Sequence, residues 1–136
     1  MKKLLIIGIL AFLSSCEVEP APIFKVVDFS GDFIATKDCL SLITVGTSDS
    51  IAVIITAIPE IANNYVLEFT DNYTLNGIAQ STYGLTIDEQ ETVLSNTNQL
   101  ISGSIFYYEP EDEFMMSLKT ETENNVIRCN FDLIRQ

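Results

Sequence analysis

The sequence of 136 residues contains no histidine and no tryptophan, and it has seven lysines and arginines against nineteen aspartates and glutamates. Histidine is the usual general base near neutral pH, a member of Ser-His-Asp and Cys-His arrangements, and the commonest zinc ligand. Because the chain offers none of these constellations, we expect no enzymatic activity, no metal and no cofactor. The excess of negative charge repels phosphate backbones, so we do not expect nucleic-acid binding either.

One apolar run stands at the N-terminus. Lys2 and Lys3 precede ten uncharged residues, 4–13. A run of this length suits the core of a signal peptide and is too short to cross a bilayer of about 30 Å as a helix. Residues 13–16, Leu-Ser-Ser-Cys, resemble the lipobox of bacterial lipoproteins, in which the cysteine is acylated and becomes the first mature residue. The alternative is an ordinary secretory leader with an unrelated cysteine at Cys16.

The lipobox resemblance implies a signal peptide over residues 1–15 and a mature protein held to the cell envelope by lipid on Cys16. Each buried CH₂ contributes about 0.8 kcal/mol, and stable anchoring takes more than one acyl chain. Residues 16–23 predict an acidic, proline-containing tether. Its Glu17 and Glu19 are similar to the surface-export signal of Bacteroidetes lipoproteins. We therefore expect attachment to the outer membrane, on either its periplasmic or its surface side.

Removal of residues 1–15 leaves five lysines and arginines against nineteen acidic residues, a formal charge of −14. Such a chain would avoid anionic headgroups, so its attachment depends on the lipid. With Cys16 acylated, Cys39 and Cys129 remain as an even pair, which predicts a disulfide in an exported protein. Two buried free thiols are the alternative.

Residues 24–136 are rich in Ile, Val, Thr, Tyr and Phe, arranged in short runs that Gly, Asn, Asp and Glu interrupt. This pattern predicts a single all-β domain of about eight strands in an antiparallel meander, with a lead-in strand over residues 24–29. A meander whose ends carry a bridging cysteine pair can close on itself and so remove its edges. We therefore expect a closed or flattened barrel, with a two-sheet β-sandwich as the alternative. We expect a monomer.

Three segments give more detailed expectations. Residues 50–58 are apolar on both faces, which predicts a strand that is central or covered on both sides. Residues 96–99 predict a polar loop, and the alternation over residues 126–134 places Cys129 on an inner face. The side chains expected to fill a barrel are Phe33, Ile54, Leu67, Phe69, Met116, Phe131 and Leu133.

Two short motifs carry a second family resemblance. Residues 29–33, Phe-Ser-Gly-Asp-Phe, look like the start of lipocalin-like domains, where Gly-x-Trp lies on the first strand; here Phe33 replaces the tryptophan. Residues 101–104, Ile-Ser-Gly-Ser, precede a final strand with the second cysteine, as in small Bacteroidetes lipoproteins of lipocalin-like type. The resemblance spans most of residues 29–134 and implies a lipocalin-like barrel, but it implies no particular ligand.

Acidic clusters are the first candidate sites. Glu109, Glu111, Asp112 and Glu113 offer the oxygen ligands that Ca²⁺ prefers, but they lack the ligand spacing and the glycine of a calcium loop. A solvated hairpin tip is therefore the favoured interpretation. The same interpretation applies to a second cluster, Asp88, Glu89 and Glu91.

Aromatic and hydroxyl side chains give two further candidates. Phe106, Tyr107 and Tyr108 could form a platform for carbohydrate or lipid, but alternation sends Tyr107 to one face and its neighbours to the other. That favours a pair of core rings and one exposed ring. Residues 49–51, Asp-Ser-Ile, resemble the O-glycosylation pattern of exported Bacteroidetes proteins.

Two functions are consistent with these features. The first is a lipid-anchored module that binds a small apolar ligand in the barrel interior or at an open mouth. The second is a structural or protein-interaction module of the envelope, which displays its acidic surface to a partner. The first function requires free space, and the interior of an eight-stranded barrel is only just wide enough for its own side chains.

Overall fold

The structure, a computed structural model, describes residues 25–40, 48–70, 73–94 and 96–136. The predicted signal peptide, the lipidation site Cys16 and the tether lie outside the described residues. Each strand pairs antiparallel with the next, and the last strand pairs with the first, which closes a barrel. The predicted meander and barrel are confirmed, and the sandwich alternative is wrong. The strands are β1 (Gly31–Leu40), β2 (Ser48–Ala57), β3 (Asn64–Phe69), β4 (Tyr73–Ser81), β5 (Gly84–Leu94), β6 (Thr97–Tyr108), β7 (Glu113–Thr122) and β8 (Asn125–Arg135).

Alternating side chains build the barrel interior. On β8, Cys129, Phe131 and Leu133 are buried, while Asn130 and Asp132 between them are exposed. Most other strands follow the same two-residue period, which a bulge interrupts in β5 after Ile87, and the inner faces form one apolar cluster. Among the described residues, this core contains no buried polar or charged side chain. Full burial of one large apolar side chain stabilises the fold by about 1.5–3 kcal/mol, so the interior is the main source of stability.

Six of the seven predicted interior side chains are buried, and Ile54 is the exception. Ile54 is 44% exposed, and its register partners are Asp32 and Glu68 on the outer face. β2 is central, as predicted, because it pairs with both β1 and β3, but it is not covered on both sides. Val53 and Ile55 occupy the interior, and the described chain places no second layer of structure over the outer face of this strand.

A disulfide crosses the seam where the meander closes. Cys39 on β1 and Cys129 on β8 are register partners with their Cα atoms 4.0 Å apart, and their sulfurs are bonded. The predicted disulfide is confirmed, and so is the inner position of Cys129. The bridge joins the first strand to the last across 90 positions of sequence. In the chain-entropy model, a loop of this length contributes about 4–5 kcal/mol through the unfolded state.

The two ends of the barrel differ in what covers them. We call the end that carries the β2–β3, β4–β5 and β6–β7 connections the proximal end, and the opposite one the distal end. Residues 25–30 cross the proximal end, where the Val27 N–H donates to the Thr82 carbonyl at 2.9 Å. Phe29 is fully buried there, in edge-to-face contact with Tyr65 and Phe114.

The predicted lead-in strand over residues 24–29 is wrong, because residues 25–30 form no strand. A closed barrel explains this result: β1 already pairs with β2 and with β8, so no edge is free to accept another strand. The predicted loop over residues 96–99 is wrong as well. A tight turn at Asn96, with φ of 62°, lets β6 begin at Thr97. Asparagine tolerates this left-handed conformation better than most residues.

Candidate functional site

A cleft of about 460 Å³ opens at the proximal end of the barrel. We call it the proximal cleft. Residues 25–28 form one wall, the β4–β5 turn and the β6–β7 connection form others, and Phe114 and Arg135 complete the lining. Small-ligand sites in proteins commonly have volumes of about 300–1,000 Å³, so this cleft is large enough for a small molecule.

A row of aromatic rings runs through the proximal cleft. The ring centroids of Tyr83 and Tyr107 are 6.2 Å apart, and those of Tyr107 and Phe114 are 4.7 Å apart. The Arg135 guanidinium carbon lies 4.8 Å from the Phe114 centroid and 5.3 Å from that of Phe33. Contacts of this kind each contribute about 0.5–1.5 kcal/mol beyond the burial of area. The row therefore gives the cleft a preorganised apolar surface.

Two carboxylates of the β6–β7 connection hold the tyrosines. The Tyr83 hydroxyl donates to Glu109 Oε2 at 2.8 Å, and the Tyr107 hydroxyl donates to Asp112 Oδ1 at 2.9 Å. These hydrogen bonds, together with the nearby negative charge, raise the pKa of both phenols above the usual value. Burial adds to the rise in the pKa of Tyr107, and the positive charge of Arg135 opposes it. Both phenols therefore remain protonated donors at neutral pH.

Arg135 is fixed in place at the mouth of the barrel. Its Nη2 donates to the Asp28 carbonyl at 2.6 Å, which ties the end of β8 to the segment that crosses the proximal end. Gly31 lies beside it with φ of 149°, a conformation that other residues rarely adopt. A methyl group at Gly31 would lie 3.2 Å from Arg135 Nε. In the Gly-x-Phe motif, Gly31 leaves room for the Arg135 side chain, and the ring of Phe33 stacks on the Arg135 guanidinium.

The proximal cleft combines three kinds of binding group. Phe114 and the tyrosines offer ring faces, Lys25 and Arg135 offer positive charge, and Asp28 and the two loop carboxylates offer hydrogen-bond acceptors. Each carboxylate can accept about four hydrogen bonds, so Glu109 and Asp112 retain acceptor capacity beyond their tyrosine partners. The arrangement suits recognition of a ring-bearing molecule with polar substituents.

The barrel interior offers less room. Phe33, Leu67, Ile105 and Met116 are at most 1% exposed. A methyl group added to Gly77 would overlap the Leu85 side chain, which shows how closely the interior is packed there. A second cavity of about 350 Å³ lies at the distal end, on the outer surface, and includes Glu91, Glu121 and Glu123 in its lining. Within the described ranges, no three histidine, cysteine or acidic residues are grouped closely enough to hold a metal ion.

The acidic segment over residues 109–113 is more than a solvated tip. It forms a short 3₁₀ turn, Glu109–Glu111, followed by Asp112 with φ of 52°. All four acidic residues are exposed, as predicted, but Glu109 and Asp112 also accept the tyrosine hydrogen bonds. The contact of Glu109 could not be predicted from the sequence, because its partner Tyr83 is 26 positions away.

The aromatic segment over residues 106–108 alternates as predicted, but with its faces reversed. Phe106 and Tyr108 are 55% and 48% exposed, whereas Tyr107 turns inward over the mouth of the barrel. The prediction of two core rings and one exposed ring is wrong. The reason is the phase of β6: Ile101 and Ile105 are buried, and Tyr107 continues their face.

Several cleft residues were not identified from sequence. Lys25, Asp28 and Arg135 belong to no motif, and the closure of the barrel brings them together from opposite ends of the domain. Of the predicted O-glycosylation pattern over residues 49–51, Ser50 is exposed on β2, and its modification stays a prediction.

Within the described ranges, no helix has both the length and the hydropathy that a bilayer crossing requires. No protein-family model matches the chain, and no curated protein or solved structure matches it.

Proposed function

We propose that the chain is a lipoprotein of the outer membrane, anchored by lipid on Cys16, and that its barrel binds a small ligand in the proximal cleft. The Leu-Ser-Ser-Cys motif, the short apolar leader before it and the disulfide between Cys39 and Cys129 support the anchored, exported part of the proposal. A binding function for the barrel rests on the cleft alone.

The choice of binding site rests on where the structure leaves space. Apolar side chains fill the interior of the barrel, whereas an open cleft of about 460 Å³ lies at its mouth. The lining mixes ring faces with charged groups. A wholly apolar ligand would displace water from the charged groups of Lys25, Glu109 and Asp112 without offering them new hydrogen bonds, and it would therefore cost their desolvation. We therefore assign the site to a ring-bearing molecule with hydroxyl or amino substituents.

Ligand screening by NMR tests this proposal. Small ring-bearing compounds are added to the isotopically labelled protein, and backbone amide shifts are followed. We expect binders to shift the amides of Tyr83, Tyr107 and Phe114 first. The substitution Tyr83→Ala removes one ring of the row and should weaken binding roughly two- to tenfold.

Tyr108→Ala is the matched control, because Tyr108 is as exposed as Tyr83 but lies on the outer face of the barrel. This variant should bind like the unaltered protein. Shifts confined to interior residues such as Leu67 and Ile105, or equal losses in both variants, would contradict the assignment of the cleft.

A further inference from the structure

The exposed large apolar side chains are unevenly distributed over the barrel. Twelve such side chains are present among the described residues, and nine of them lie in the half of the barrel nearer the proximal end. Val93, Leu100 and Val126 are the three at the distal end. The acidic side chains Glu91, Glu121 and Glu123 share a cavity lining with two of these three. Apolar surface is thus concentrated at one end of the molecule.

Six of the nine lie on the outer face of five neighbouring strands, and we call this set the apolar collar. It spans the neighbouring strands β6, β7, β8, β1 and β2, about 19 Å at the usual spacing between strands. Phe106 pairs directly with Met115, and Ile34 pairs directly with Ile134. Its members are 37–61% exposed, and they are Phe106, Tyr108, Met115, Ile134, Ile34 and Ile54.

We infer that the apolar collar rests on the surface of the lipid bilayer that anchors the chain, with its side chains at the boundary between headgroups and acyl chains. This inference depends on the proposed lipid at Cys16. The chain enters the described structure at Lys25, which lines the proximal cleft at the same end as the collar. Only nine residues, 16–24, separate the lipidated position from Lys25. Fully extended, they reach about 30 Å, so the proximal end stays close to the bilayer.

The charges around the apolar collar restrict the kind of surface that it can meet. Asp32, Glu113 and Asp132 are exposed on the same strands. Asp32 is the register partner of Ile54, and Asp132 is that of Met115, so acidic side chains lie within the collar. Anionic headgroups would repel them, and a second copy of the chain would place the same acids against one another. A bilayer of zwitterionic lipid has no net surface charge and fits the collar best.

Fluorescence quenching by brominated lipid tests the contact. The chain contains no tryptophan, so Phe106→Trp introduces a single reporter in the apolar collar. Val93→Trp places a reporter of similar exposure at the distal end. Each full-length variant is purified with its lipid, which is verified by intact mass. It is then reconstituted into phosphatidylcholine vesicles that carry bromine on the upper part of the acyl chains, at the depth of roughly 5–10 Å that interfacial side chains reach.

We expect brominated vesicles to quench the indole of the Phe106→Trp variant strongly and to shift its emission to the blue, while the indole of the Val93→Trp variant stays unquenched. Addition of phosphatidylglycerol should reduce the quenching of the collar reporter. An unquenched collar reporter on a verified lipidated protein would overturn the inference and leave the proposed function standing. A blue shift that depends on protein concentration, without quenching, would assign the collar to a second copy instead. Absence of lipid from the protein would refute the anchor itself.

Discussion

Arg135 shows how one residue serves both the fold and the candidate site. Its guanidinium stacks on Phe33 and Phe114 and donates to the Asp28 carbonyl, so it joins the first strand, the last strand and the N-terminal segment. The same side chain lines the proximal cleft. A substitution at this position would therefore change stability and binding together, and variants of Tyr83 separate the two effects better.

Gly103 on β6 pairs with Leu118 on β7, and there is no space for a side chain at this position. A methyl group there would overlap the Ser117 carbonyl oxygen and would lie 2.8 Å from Leu118 Cδ2. Backbone atoms cannot move aside as a flexible side chain can. We expect Gly103→Ala to lower the free energy of unfolding by about 1–3 kcal/mol, as overpacked substitutions do. Urea unfolding followed by circular dichroism measures this change. Ser104→Ala on the same strand is the control and should stay within about 0.5 kcal/mol of the parent.

The tyrosines of the proximal cleft predict a dependence on alkaline pH. The pKa values of Tyr83 and Tyr107 are raised in the folded state above the ordinary value of about 10. Their contribution to stability is therefore fully present below about pH 10 and is lost as the pH rises through the folded-state pKa. Absorbance at 295 nm reports tyrosinate directly, because the chain has no tryptophan. We expect part of the increase in absorbance at 295 nm to occur at a higher pH than it does in the unfolded chain.

Substitution of Glu109 tests the contact between phenol and carboxylate. Glu109→Gln removes a charge that raises the pKa of both Tyr83 and Tyr107, so both phenols should titrate closer to the ordinary pKa, Tyr83 most of all. Glu111→Gln is the control, because Glu111 accepts no hydrogen bond from a tyrosine in the described structure. A titration curve that Glu109→Gln leaves unchanged would show that the hydrogen bond between Tyr83 and Glu109 is absent in solution.

Strands β4 and β5 separate along part of their length, and one side chain connects them. Direct pairing is limited to the stretch from Ile78↔Thr86 to Ser81↔Gly84, and a bulge follows in β5 after Ile87. Gln90 then bonds both backbone groups of Asn76: its Oε1 accepts from the Asn76 N–H at 2.8 Å, and its Nε2 donates to the carbonyl at 2.6 Å. The amide of Gln90 thus takes the place of a missing backbone partner.

Loss of this bridge should weaken the barrel. Gln90→Met keeps the length of the side chain but removes the amide. We therefore expect the free energy of unfolding to fall by about 1–2 kcal/mol through loss of the exposed hydrogen bonds to Asn76 and to the Asp88 carbonyl. The midpoint of urea unfolding gives the change, with Gln99→Met as the control. Gln99 makes no side-chain hydrogen bond within the described ranges. Equal midpoints for the two variants would mean that water replaces the Gln90 amide without cost.

The sequence predicted the orientation of a strand well where the two faces of that strand differ in polarity. On β8 apolar and polar residues alternate cleanly, so the inner position of Cys129 could be predicted. On β2 both faces are apolar, and the exposure of Ile54 was missed. On β6, large apolar or aromatic side chains occupy both faces at residues 105–108, so composition alone could not set the phase. The proximal cleft could not be predicted, because only the closure of the barrel brings its residues together.

The features on which both proposals rest lie at one end of the molecule. The described chain begins at the proximal end, where the cleft opens and where the apolar collar covers the outer face of five strands. The disulfide closes the seam nearer the distal end. If the anchor lies on Cys16, both the cleft and the collar face the bilayer, and a ligand would reach the cleft along the membrane surface.

The mass of the protein extracted from membranes tests this arrangement most directly. We predict that the mature chain begins at Cys16 and carries a diacylglycerol group with or without a further acyl chain. Cys16→Ala should lose the lipid and leave the membrane fraction as a folded barrel, with the near-ultraviolet circular dichroism of its tyrosines and its disulfide unchanged. An unmodified Cys16 in the membrane-extracted protein, or a Cys16→Ala variant that stays in the membrane, would contradict the anchored barrel.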